Sequence, residues 1–476
     1  MARVLSTTGA PVAARPSRDR ATTGADHPAF GAFVAELFAG LPRADQRRWA
    51  HAYTRGLLVT PGRKTTRRIA ARVSDSATAA QALHQFVNAS PWEWQPVRAL
   101  LADWVVRRAA PRALVLGATV LPKRGDRSCG VHRRFVPGDG RTVNCQLGLG
   151  AFLTGPAAAV PVDWRLLLPG PWSDDPQARS RARIPGDAPG SARSATALAL
   201  DLVDSAGSLL PAGDVRALPV LADLDGFAEP SALVEGLAAR GRFVVRVRED
   251  LALLPDRPAA GRSGAGPLPA RDLLGAHSSR PHQLPAPTGI AMALVRLPGT
   301  PATVRLVGER LPDGALGRLW LTDLTDRPPR ELAEAVRLGT ATAEAVKQLD
   351  DVGLRAFEGR SYPGWHHHMT LVSAALAYRA LGHLTPPREA APPREATSLR
   401  WAMPPRDSAR GVRRPAVDRP PRGGQLRPAS PPHTRAATNP ARQPAMAMAG
   451  QPATTPAGAP AAPRPAPATP IRTGCS

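Results

Sequence analysis

Pro219-Val-Leu-Ala-Asp223 is an apolar run that stops at a carboxylate, and a glycine-bearing turn, Leu224-Asp225-Gly226-Phe227, follows it. The pattern predicts a buried parallel strand whose C-terminal end carries a functional acid. No other acid in the chain is placed for chemistry in this way. The remaining candidate groups are weaker. Cys129, His132 and Cys145 are zinc-ligand types, but no fourth ligand stands at finger spacing, so they read as buried or loop side chains. His366, His367 and His368 are consecutive, so on a helix they fan apart and cannot chelate as an i, i+4 pair would. Trp92 and Trp94 read as core before they read as base-stacking platforms. Arg63, Lys64, Arg67, Arg68 and Arg72 form either a phosphate track or a solvated face.

The elements that must hold Asp223 are legible around it. A helix is predicted from Glu229 or Pro230, with Leu233, Leu237 and Ala238 on one face, and the strand Arg242–Val247 follows at once. Upstream, Ala113–Leu116, Val143–Leu153 and Ala158–Leu168 read as a three-stranded meander, and Thr196–Leu209 as a helix. Three antiparallel strands, a helix and a parallel strand form the opening order of an RNase H-like α/β fold. That fold is a mixed sheet with helices on both faces.

Around this core the sequence divides into further parts. Residues 1–27 read as a disordered leader without a signal-peptide apolar region. Residues 28–110 read as a helical domain: an apolar face of Phe30, Phe33, Val34, Leu37 and Phe38, then helices at Asp45–Leu58, after Gly62–Ile69, at Ala80–Val87 and at Trp94–Arg107. Residues 111–249 and 326–385 would form the RNase H-like domain. Between them, 250–325 read as a β-rich insertion, with strands at Ile290–Leu297, Ala302–Val307 and Leu316–Leu324. Helices are predicted at Glu331–Asp351 and Trp365–Leu381. Residues 386–476 are Pro, Ala and Arg without periodicity, a composition that predicts a disordered cationic tail.

The chain has 476 residues and a formal net charge of +24. So basic a balance points to a polyanionic partner, with nucleic acid first. Lysine occurs only as Lys64, Lys123 and Lys347, which also fits a coding bias towards Arg, Ala and Pro. Three cysteines make no disulfide framework and suit a reducing cytosol. No apolar run approaches membrane-spanning length.

Several strings together resemble one family. They are Asp45-Gln-Arg-Arg-Trp49, the run from Phe86 through Trp92 and Trp94 to Arg98, Leu121-Pro-Lys123, Val162-Asp-Trp-Arg-Leu-Leu-Leu-Pro169 followed by Trp172-Ser-Asp-Asp175, and Phe357-Glu-Gly-Arg-Ser-Tyr-Pro-Gly-Trp-His-His-His368. They resemble DDE-superfamily transposases of bacterial insertion sequences, in the group numbered seven hundred and one of the insertion-sequence-four class. The resemblance spans roughly residues 28–385. It implies cleavage and transfer of DNA strands at the ends of a mobile element, by three carboxylates around two Mg²⁺ or Mn²⁺ ions. The acids come from the first strand, the fourth strand and a late helix. The implied partner is double-stranded DNA, with a homodimer left open and a cytoplasmic, nucleoid-associated location.

The chain departs from that pattern. Family members read a hydrophobic pair, Asp-Asp-Thr, two residues and Pro-Lys. Here the string is Leu114-Val-Leu-Gly-Ala-Thr-Val-Leu-Pro-Lys123, so the paired acids fall on Gly117 and Ala118. The nearest later acid is Asp126, in a loop. The late-helix acid stands at a fixed spacing before a Gly-Leu, and counting back from Gly353-Leu354 gives Thr342. Glu344 lies about 200° further round the helix and would serve only after a local shift. Gly339 stands where the family carries an aromatic residue. On this reading Asp223 is the surviving catalytic acid and sole metal ligand, with Glu344 as the other candidate acid. Arg63, Lys64, Arg67, Arg68, Lys123 and Arg360 are the DNA-contact candidates. Three identities remain open: a transposase with impaired catalysis, a DNA-binding protein recruited from one, and a decayed copy whose tail is frame-shifted.

Overall fold

The computed structural model describes residues 27–136, 139–188, 194–209, 218–256, 266–278 and 289–384. The expected leader, except His27, and the whole expected tail lie outside the described residues. Five helices come first: α1 (Pro28–Leu37), α2 (Ala44–Val59), α3 (Thr66–Val73), α4 (Ala79–Asn88) and α5 (Trp94–Ala109). Each buries the apolar stripe that its sequence spaces at helical period; α1, for example, buries Phe30, Phe33, Val34 and Leu37. Thr65 caps α3 by accepting from the Arg68 amide, which ends the cationic run in a helix start.

The sheet then begins with β1 (Ala113–Pro122), β2 (His132–Val136), β3 (Arg141–Thr154) and β4 (Ala159–Leu166). Two short helices, α6 (Pro171–Asp174) and α7 (Pro176–Ala182), lead to α8 (Ala195–Leu209), β5 (Val220–Asp223), α9 (Pro230–Ala238) and β6 (Phe243–Val247). β1 pairs antiparallel with β3 and parallel with β5, β5 pairs parallel with β6, and β4 pairs antiparallel with β3. The resulting order β4-β3-β1-β5-β6 is a mixed sheet consistent with an RNase H-like fold. β1 runs beyond the apolar stretch seen in the sequence, through Gly117 and Ala118, because β3 pairs with it along its whole length. β2 escapes sequence pattern altogether, since His132-Arg-Arg-Phe-Val136 carries no apolar alternation.

The following segment holds β7 (Ala252–Pro255), β8 (Leu268–Pro269), α10 (Ala270–Ser278), β9 (Ile290–Arg296), β10 (Thr303–Arg310) and β11 (Leu316–Thr322). These strands extend the same sheet. β11 pairs antiparallel with β6, and β10, β9 and β7 continue outward. α11 (Pro329–Asp351) and α12 (Tyr362–Leu381) close the described chain, separated by a 3₁₀ turn at Leu354–Ala356.

α12 is buried on nearly every side, including Trp365, all three histidines, Met369 and Thr370. It packs against α2, α4, α5 and β4, so the N-terminal helices gather around it. Alternation along β4 separates the two faces of the sheet. Trp164 Nε1 donates to Ser373 of α12 at 2.9 Å, whereas Asp163 accepts from Ser205 of α8 at 2.7 Å. Asp163 also anchors two arginines. Arg98 of α5 donates from Nη1 to Asp163 Oδ1 at 2.6 Å and from Nε to Thr370 at 2.9 Å. Arg165 donates to Asp163 Oδ2 at 2.8 Å and to Asp201 at 2.6 Å. Burial alone would raise the Asp163 carboxyl, but the two guanidinium groups outweigh it and hold the pKa below the ordinary range. Burial pulls Arg98 down to about 10, against the pull of Asp163.

Candidate active site

Asp223 ends β5, and Gly226 makes the turn beyond it with φ +75°. Glu229 then caps α9 by accepting from the Ser231 and Ala232 amides at 3.0 and 2.6 Å. Across the parallel ladder, the register partner of Asp223 is Gly117. A Cβ built on Gly117 would lie 3.5 Å from the Cβ of Thr342 and 3.6 Å from its Oγ1. Gly117, Asp223 and Thr342 therefore meet on the sheet face covered by α11. Thr342 is buried, and its hydroxyl donates to the Gly339 carbonyl at 3.5 Å. Ala118 alternates to the other face of β1.

The one acid of this trio is already paired. Arg246 of β6 donates from Nη1 to Asp223 Oδ1 at 2.9 Å, and its Nη2 stands 3.5 Å from Asp225 Oδ2. A groove of about 540 Å³ opens alongside, lined by Asp225, Arg246, Arg248, Glu249, Asp250 and Arg271 among others. Glu344 points away: its side chain is 64% exposed and pairs with Lys347 at 3.5 Å. Asp126 is exposed in its loop. At position 339, where the resemblance implies an aromatic residue, the space beside the glycine is filled by another ring. A Cβ on Gly339 would fall 2.9 Å from the indole of Trp320, which is fully buried.

A family model described as DDE superfamily endonuclease matches residues 36–306, more than half of the chain. The chain belongs to the DDE superfamily endonucleases. No curated protein matches it. The match ends before α11, so the place of Thr342 in this DDE endonuclease rests on its packing against Gly117. Enzymes of this superfamily use divalent metal ions. The residues here do not fit such a pair: glycine and threonine supply no carboxylate, and the remaining carboxylate is held by a guanidinium. Among the described residues, no group of three or more His, Cys, Asp or Glu side chains is arranged to hold a metal ion.

The other singled-out residues of the DDE endonuclease separate by burial. Arg67, Arg68 and Arg360 are exposed, and Arg63 is exposed beside Glu358 at 3.6 Å. Lys64 instead is buried and donates to the Thr60 carbonyl. Lys123 donates to the Phe357 carbonyl at 2.8 Å, and burial pulls its pKa down to about 8. Neither lysine is presented as an open phosphate contact. Cys129 and Cys145 are buried free thiols, and burial pushes Cys129 up to about 12.

The three histidines are packing residues. His366 stacks on Trp94 with ring centroids 4.7 Å apart, and His367 on Trp92 at 4.0 Å. His368 stands 3.1 Å from the Tyr53 hydroxyl and 3.0 Å from the Gly353 carbonyl. A neutral ring with its proton on Nε2 satisfies both. Sequence reasoning missed Arg246 and the cluster around Asp163. The available signal was an acid or arginine inside an apolar strand, which must find a partner when buried.

Proposed function

We propose that this DDE endonuclease is an insertion-sequence transposase by descent, of group seven hundred and one in the insertion-sequence-four class, that binds double-stranded DNA with impaired strand cleavage and transfer. One observation carries the reading: the three positions expected to hold the acids converge, yet only Asp223 among Gly117, Asp223 and Thr342 is an acid. Two divalent ions held close together need anionic ligands to offset their mutual repulsion. A single aspartate, itself ion-paired, does not supply them. The pairing of Asp223 with Arg246 favours a DNA-binding role without chemistry, such as occupancy of element ends.

Support for DNA as the partner comes from the net charge of +24 and from the exposed Arg63, Arg67, Arg68 and Arg360. In this reading residues 28–110 position the DNA and 111–249 with 326–385 carry the degenerate centre. Residues 250–325 form the β-rich insertion, and the basic 386–476 segment adds affinity independent of sequence. A homodimer and association with the nucleoid belong to the same reading. The test is gel retardation of duplex DNA across a salt series, with the DNA recovered afterwards. Binding should fall steeply with salt, because neutralised phosphates release counterions, and the DNA should remain intact. Absence of retardation at low salt would overturn the DNA-binding reading.

A further inference from the structure

We propose that Arg246 is the resident cation of the sheet end, so that restoring the two missing acids alone will not restore a metal site. The inference rests on the reading of Gly117, Asp223 and Thr342 as the acid positions. β6 is Phe243-Val-Val-Arg-Val247, with Arg246 the one side chain of the strand not fully buried. The β5–β6 register pairs Ala222 with Val245, which brings Arg246 alongside Asp223. On its other side Arg246 is the register partner of Trp320 in β11, so the stem is flanked by the ring that fills the space beside Gly339.

The contact geometry is that of a bridge. One guanidinium nitrogen takes Asp223 and the other faces Asp225, with side-chain exposures of 28% for Arg246, 17% for Asp223 and 29% for Asp225. Both carboxylates near the end of β5 are thereby satisfied by one fixed positive charge. A guanidinium has no acceptor atom, so it cannot become a ligand. Its charge also repels an incoming divalent ion from Asp223. On this reading the site lacks an acid at two positions and holds a competitor for the metal at the third.

The experiment is Mn²⁺ titration by calorimetry, with melting temperature as a second readout. It compares the unmodified chain, Gly117→Asp/Thr342→Glu, and that pair combined with Arg246→Gln or Arg246→Lys. Arg246→Gln should tighten Mn²⁺ binding by about tenfold or more over the two-acid variant, whereas Arg246→Lys, which keeps the charge, should not. Equal affinity with and without Arg246→Gln would overturn the proposal while leaving the lost-acid reading intact. Mn²⁺ binding by the unmodified chain that disappears in Asp223→Ala would overturn both. If Thr342→Glu prevents folding, Gly117→Asp with and without Arg246→Gln makes the same comparison. A Cβ at Gly117 meets its nearest neighbours at 3.4 and 3.5 Å, which is ordinary contact.

Discussion

Two polar centres of this protein hold their charges in different ways. Beneath α12, the cluster of Arg98, Asp163, Arg165, Asp201, Ser205 and Thr370 joins α5, β4, α8 and α12, and its two carboxylates face guanidinium groups. At the end of β5, the trio of Gly117, Asp223 and Thr342 has a single acid, already bound to Arg246. At the first centre Arg98 and Asp163 are fully buried, so losing either one leaves the other's charge less compensated away from water. On the proposed reading the second is a partly exposed site whose acids served chemistry, so replacing them leaves the fold standing. Selection on folding alone preserves the first kind of site and not the second.

The contrast can be broken by mutation, starting where the effect is largest. Arg98→Met should destabilise the protein by about 3–5 kcal/mol in denaturant unfolding, because it removes one partner of a fully buried ion pair. Next comes acid. Burial, helped by the nearby Lys123 charge, pulls His368 down to about 4 from the ordinary 6.5. The unfolded chain therefore binds a proton that the folded chain refuses between those values. Stability should be complete above pH 6.5 and fall as pH drops towards 4, by up to about 3 kcal/mol from His368. A pH series of melting curves checks this, and His368→Gln should flatten the slope.

At the other centre the effects are smaller. Gly339→Trp, which places an aromatic residue on α11, should cost about 1–3 kcal/mol by overpacking against Trp320. Asp223→Ala should cost less than about 1 kcal/mol, since the ion pair is partly exposed and Asp225 stays beside Arg246. If Asp223→Ala proved as damaging as Arg98→Met, the distinction between the two centres would fail.

Much of this was legible in the sequence because local pattern carries it. The apolar run into Asp223 reads as a strand, and counting from Thr119 and from Gly353-Leu354 picks out Gly117 and Thr342. Their meeting in space needs only the parallel register and one helix. What stayed hidden depends on contacts distant in sequence. Lys64 lies in a run of cations and reads as exposed, yet Gly353 and Leu57 pack near it. Arg246 sits in a strand that reads as core, and only the neighbouring β5 shows what it faces. The three histidines read only as side chains fanned round a helix, whereas α12 is enclosed by helices that precede it by hundreds of residues.

The account turns on whether the sheet end can still direct a metal to DNA. Incubating the unmodified protein and Asp223→Ala with supercoiled plasmid in Mg²⁺ or Mn²⁺ measures this directly. Neither protein should nick the plasmid above the metal-only background, and the two should be indistinguishable. Metal-dependent nicking by the unmodified protein, abolished in Asp223→Ala, would contradict the account and direct attention to Asp126 and Glu344 as the missing ligands.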